Sequence, residues 1–105
     1  MIDPAIFVRI WRFQARVDKV AEFQSAYGSD GAWAALFRHG AGYLGTELFE
    51  STVEPATYIT VDRWSSAEAW QRFLHQWSEE YAALDRTCDG LTVAEAEIGA
   101  FRKIG

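Results

Sequence analysis

Apolar residues in this chain change their spacing in a fixed order, and that order constrains the fold more than any other feature. Ile6–Ala15 (IFVRIWRFQA) is rich in β-branched and aromatic residues and reads as a strand. Both of its faces are apolar, with Ile6, Val8 and Ile10 on one and Phe7, Trp11 and Phe13 on the other, as in a strand covered on both sides. Val20, Phe23 and Tyr27 then recur at helical spacing behind Asp18, a candidate cap. Gly28-Ser29-Asp30-Gly31 is a turn signal. Asp30 is placed to cap a second, short helix carrying Trp33, Leu36 and Phe37, which Gly40 and Gly42 end.

Tyr43–Ser51 and Thr57–Trp64 read as two further strands, with Pro55 breaking the segment between them. Ser65 and Glu68 fit a capping box. A helical stripe follows: Trp70, Phe73, Leu74, Trp77, Tyr81, Leu84 and Cys88 all fall within about 60° of Trp70 at 100° per residue. Asp89-Gly90 stops that helix, and Leu91–Phe101 is a last strand with Glu95 and Glu97 opposite Ala94, Ala96 and Ile98.

The resulting order, β-α-(α)-β-β-α-β, predicts an α+β, ferredoxin-like fold: four antiparallel strands with the helices on one face. At 105 residues the chain is expected to be one domain, residues 1–105. Alternation sorts the strand residues into an aliphatic set (Ile6, Val8, Ile10, Leu44, Leu48, Ile59, Val61, Ala94, Ala96, Ile98) and an aromatic and charged set. The second set is Phe7, Arg9, Trp11, Phe13, Glu47, Phe49, Tyr58, Asp62, Trp64, Glu95, Glu97 and Phe101. The aliphatic set is expected under the helices. The rings and charges then occupy the open face, whose composition suits an interface with a second copy around a two-fold axis. A monomer with an amphipathic sheet is the alternative.

The charge balance narrows the partners. Ten Lys and Arg stand against 15 Asp and Glu, with no basic run, which argues against nucleic acid and anionic membranes. One cysteine, Cys88, excludes an internal disulfide and a cysteine-based zinc site and reads as a small core residue. No apolar stretch approaches a membrane span and no leader is apparent, so a cytoplasmic protein is expected.

The strand IFVRIWRF, the segment Gly42-Tyr43-Leu44-Gly45-Thr46-Glu47, and Tyr58–Ser66 (YITVDRWSS) followed by Ala67-Glu68-Ala69 together resemble the antibiotic biosynthesis monooxygenase family of dimeric α+β barrels. The resemblance runs from about Ile6 to Phe101. It implies a homodimer whose sheets close on each other, with a substrate cavity in each subunit between sheet and helices. It further implies cofactor-free oxygenation, in which the substrate loses a proton and the resulting anion reduces dioxygen. Haem degradation, known in other members, is not expected here. Gap-free alignment from Trp64 puts Phe73 and Ala83 where those relatives carry Trp and His, and the chain contains no Asn.

On this reading the ligand is a small hydrophobic aromatic: a phenol, hydroquinone or polyketide-like molecule. Trp33, Phe37, Trp70, Phe73 and Trp77 are the candidate binding residues, each alternatively plain core. His39 and Tyr81 are the candidate proton-handling groups. For His39, at a helix end, the alternative is a favourable contact with the helix terminus or with solvent. His75 lies about 140° from Trp70 on a continuous helix, on the wet side unless the helix breaks near Leu74–Gln76. Arg9, Asp62, Glu95 and Glu97 read as an inter-strand or intersubunit charge network on the interface face, with catalysis the lesser alternative. No cofactor and no metal is expected. A binding or stress-response dimer of the same fold, without turnover, is the alternative function.

Overall fold

The computed structural model describes residues 6–105. Four strands, β1 (Phe7–Ala15), β2 (Tyr43–Glu50), β3 (Thr57–Trp64) and β4 (Thr92–Arg102), form one antiparallel sheet in the order β2-β3-β1-β4. Helices α1 (Val20–Tyr27), α2 (Ala32–Phe37), α3 (Ala67–Gln76) and α4 (Ser78–Cys88) supply the second layer. This is the ferredoxin-like α+β arrangement that the periodicity predicts.

The local signals hold to within a residue, with different partners. Ser66 rather than Ser65 caps α3, its Oγ accepting the Ala69 N–H at 3.0 Å. Lys19 precedes α1 and Gly31 precedes α2, neither with a side-chain cap. Asp30 instead accepts a hydrogen bond from Arg38 at 2.8 Å, tying the start of α2 to its end. The long stripe is two helices: the backbone leaves helical geometry at Trp77 (φ −114°, ψ 26°). This break leaves His75 exposed and does not turn it inward.

The assignment of sheet faces is corrected. Cross-strand partners share a face, and Phe7, Arg9, Trp11 and Phe13 stand opposite Trp64, Asp62, Thr60 and Tyr58. Phe13, Tyr58 and Trp64 belong to the buried cluster that also holds Phe23, Tyr27, Trp33, Phe37, Trp70 and Phe73 from the helices. The rings therefore lie under the helices, and Val8, Ile10, Ile59 and Val61 lie on the open side. The physical reason is in the helices, whose inner residues are themselves rings. Phe13 meets Phe23 at 5.5 Å, Tyr58 meets Phe23 at 4.8 Å, and Trp64 meets Phe37, Trp70 and Phe73 at 5.3–5.8 Å. Tilted and edge-on pairs of this kind fill a wide layer with favourable geometry.

Most of β2 follows the expected sorting, with Leu48 inward beside Thr60 and Glu47 and Phe49 outward beside Val61 and Ile59, but Leu44, expected under the helices, is exposed at a register shift and lies on the open side. In β4 a register shift leaves Ile98 without a partner. That bulge keeps Glu95 and Glu97 inward, opposite Phe13 and Trp11, while Phe101 emerges outward opposite Val8. A second bulge in β2 is taken by Gly45 at φ +133°, a backbone conformation that favours glycine.

The open face is apolar and uncovered. Leu44, Phe49, Ile98 and Phe101 are each roughly half exposed, around a centre of Val8, Ile10, Ile59 and Val61. On the same face Arg63, beside Val8, pairs with Glu47, and Arg12, beside Ile59, pairs with Glu54.

Candidate active site

Between the sheet and helices α2 and α4 lies a cavity of about 230 Å³. Its floor is the inward face of the sheet: Arg9, Trp11 and Phe13 from β1, Thr60 and Asp62 from β3, Thr46 from β2 and Glu95 from β4. Its walls are Tyr27, Trp33 and Phe37 from the first helical pair, with Tyr81 and Asp85 from α4. The floor is polar where the walls are aromatic, because the β3 alternation that buries Tyr58 and Trp64 also buries Thr60 and Asp62 between them.

Asp62 is the most perturbed group on the floor. It is only 7% exposed, and burial pushes its carboxyl up from the ordinary 3.8 to about 6. Two contacts work in the opposite direction, a hydrogen bond from Thr46 and the charge of Arg9. Thr46 Oγ1 donates to Asp62 Oδ1 at 2.6 Å and lies 2.6 Å from the Tyr43 hydroxyl. Thr46 has one proton and gives it to the carboxylate, so Tyr43 is the donor to Thr46. The floor thus holds a chain of two hydrogen bonds ending on a buried carboxylate.

Arg9 is Asp62's cross-strand partner. Its side chain is 11% exposed, its Nη2 donates to Glu97 at 3.0 Å, and its guanidinium lies 4.1 Å from the centre of the Trp70 ring. The cation is therefore held by a carboxylate and by an aromatic face, two partners that fix its plane. Tyr81 stands beside it. Burial raises the Tyr81 phenol above its usual range, and Arg9 offsets part of that rise. A carboxylate near neutrality, a fixed cation and a phenol around one aromatic-walled space can take a proton from a bound phenol and hold the resulting anion.

The cavity gathers three of the residues singled out in the sequence. Trp33, Phe37 and Tyr81 line it, with Trp33 edge-on to Tyr81 at 5.0 Å. Trp70 and Phe73 are buried in the core stack, Trp70 acting as the platform under Arg9. Trp77 sits at the α3–α4 junction and stacks on His39 at 4.6 Å. His39 is exposed and lies outside the cavity lining, whose buried carboxylate is Asp62. The charge network runs between strands, Arg9 of β1 pairing with Glu97 of β4 and facing Asp62 of β3, and it lies under the helices and not on the open face. The signal that finds Arg9 and Asp62 is an Arg and an Asp in strand positions otherwise given to buried rings.

The sequence pattern of the antibiotic biosynthesis monooxygenase family matches residues 6–85, from β1 into α4. The chain belongs to that family. Solved structures of other members and of uncharacterised proteins share its fold. SnoaB, a cofactor-independent oxygenase from Streptomyces nogalater, is 20% identical, with a TM-score of 0.76 over 96% of this chain and 95% of its own. PA3566 from Pseudomonas aeruginosa is 14% identical, with a TM-score of 0.69 over the full length of both chains. Protein SO0527 from Shewanella oneidensis is 17% identical, with a TM-score of 0.69 over 98% of this chain and 95% of its own. None of the curated proteins matches the chain. Among the described residues, no helix is long and apolar enough to cross a membrane.

Proposed function

We propose that this member of the family is a cofactor-independent monooxygenase acting on a small hydrophobic aromatic, such as a phenol, hydroquinone or polyketide-like ring. The observation that carries the reading is Asp62, a buried carboxylate with a pKa near 6 on the floor of an aromatic-walled cavity, beside the fixed cation of Arg9. Asp62 takes the substrate proton, and Arg9 with Tyr81 stabilises the oxyanion. The anion then gives electrons to dioxygen, a carbon–oxygen bond forms, and loss of water leaves a carbonyl. One oxygen atom enters the ring system and the other leaves as water, with the substrate as the only reductant. Trp33 and Phe37 hold the ring and keep water away.

The functional unit in this reading is a homodimer closed through the open sheet face. The supporting observation is the continuous apolar centre of Val8, Ile10, Ile59 and Val61, ringed by half-exposed Leu44, Phe49, Ile98 and Phe101. A surface of this composition, with its charges paired as Arg63–Glu47 and Arg12–Glu54, suits a self-complementary interface.

The test is oxygen consumption and quinone absorbance with a panel of anthrones and hydroquinones, comparing the protein with its Asp62→Asn variant. Turnover by the wild type that falls at least about a hundredfold in the variant is the expected result. Saturable binding with no oxygen uptake by the wild type supports instead a binding dimer without turnover.

A further inference from the structure

The charges around the cavity are unequal, and the imbalance bears on what enters it. Its lining carries three carboxylates, Asp62, Asp85 and Glu95, against one guanidinium, Arg9. That guanidinium is already engaged by Glu97 at 3.0 Å. A ligand carboxylate would therefore meet a net negative field and find no free cation among the described lining residues. Burying it there would leave a charge without a partner, the most costly form of polar burial. The acidic groups at the side of the cavity also crowd each other. Burial raises the Glu95 carboxyl, and the neighbouring Asp85 and Asp89 charges raise it further.

The other polar groups favour a neutral oxygen. Thr60 and Tyr81 bring neutral hydroxyls to the lining, which a ligand hydroxyl or carbonyl oxygen can meet without bringing charge. Proton balance agrees with this. When a neutral phenol gives its proton to Asp62, the summed charge of cavity and ligand does not change. A ligand that arrives as an anion brings no proton to neutralise Asp62, so Arg9 would face both negative charges at once.

We infer that the cavity selects aromatics that enter uncharged, and that Asp85 and Glu95 are the specificity-determining residues that reject carboxylated analogues. This deepens the proposed function and rests on its reading of the cavity as an aromatic site.

The test uses two probes with the same ring and hydroxyl, 2-naphthol and 6-hydroxy-2-naphthoate, titrated calorimetrically into the intact protein at pH 7.5. The neutral probe is expected to bind about tenfold tighter or more, with the ratio shrinking to about threefold in the double variant Asp85→Asn, Glu95→Gln. Glu95→Lys, which places a cation at the same edge, is expected to shrink it further; circular dichroism checks that each variant is folded. Equal or tighter binding of the naphthoate, or a ratio that the variants leave unchanged, overturns the charge selection and leaves the aromatic cavity standing. If neither probe binds, the aromatic reading of the cavity falls and the inference falls with it.

Discussion

Replacing Asp62 with Asn is expected to make the protein more stable and less active, and the gain in stability depends on pH in a way that geometry alone would not produce. The carboxyl titrates at about 6 in the folded protein against 3.8 ordinarily, because it is nearly fully buried and only partly compensated by Thr46 and Arg9. A raised carboxyl pKa means that the folded state holds its proton more tightly than the unfolded chain. Stability from this group is complete below about pH 4 and is lost as pH rises through 6. The rise corresponds to about 3 kcal/mol, reached fully near pH 7.5. Asn keeps the size and can still accept the Thr46 hydrogen bond, but it carries no charge to bury. The difference in unfolding free energy between variant and wild type should therefore climb by about 3 kcal/mol between pH 4 and pH 7.5. Urea denaturation followed by tryptophan fluorescence measures it, at one protein concentration because dimer stability depends on concentration. Other titrating groups shift both proteins alike and cancel in the difference. A difference that stays flat with pH, or a variant less stable at pH 7.5, would refute the view of Asp62 as an uncompensated buried acid.

Two further outcomes follow from named contacts. Arg9→Met keeps an apolar stem over Trp70 but removes the cation that holds the Asp62 pKa down, so the acid limb of the oxidation rate should move to higher pH while the maximum rate falls about a hundredfold; a limb that stays in place or moves down counts against Arg9 as the partner of Asp62. Val61→Glu puts a charge in the middle of the open face, between Ile10 and Glu47. It should halve the mass seen by light scattering at micromolar concentration while leaving the circular dichroism unchanged, and a wild type that is already monomeric contradicts the dimer.

The order of elements was legible because the apolar period changes cleanly from two to 3.6 and back, and turn residues mark each change. The facing of the sheet was not legible, because β1 is apolar on both sides and alternation is blind to which side the helices cover. The deciding fact is three-dimensional: Phe23, Phe37, Trp70 and Phe73 project from three different helices and need rings opposite them to fill the layer. That error hid the floor of the site, since Arg9 and Asp62 travel with the rings. The cavity walls were easier to find. Trp33, Phe37 and Tyr81 sit on helical stripes whose inward direction is unambiguous. The break at Trp77 had no sequence mark, neither glycine nor proline, and the stripe continues across it. The exposure of His39 reflects its place beyond the last turn of α2, where its ring finds Trp77 and not the cavity.

Arg9 and Asp62 face each other across the two central strands of the sheet, so their separation is set by the spacing of the backbone ladder itself. This pair stands on the two central strands, while the aromatic walls belong to a six-residue helix and to a helix joined through one irregular residue. Exchanging Trp33 or Phe37 on the shorter helix would alter the fit of a guest and leave the Arg9–Asp62 pair in place. A lineage built this way can reshape its cavity by small edits on the helices and keep the paired charges of the central strands throughout.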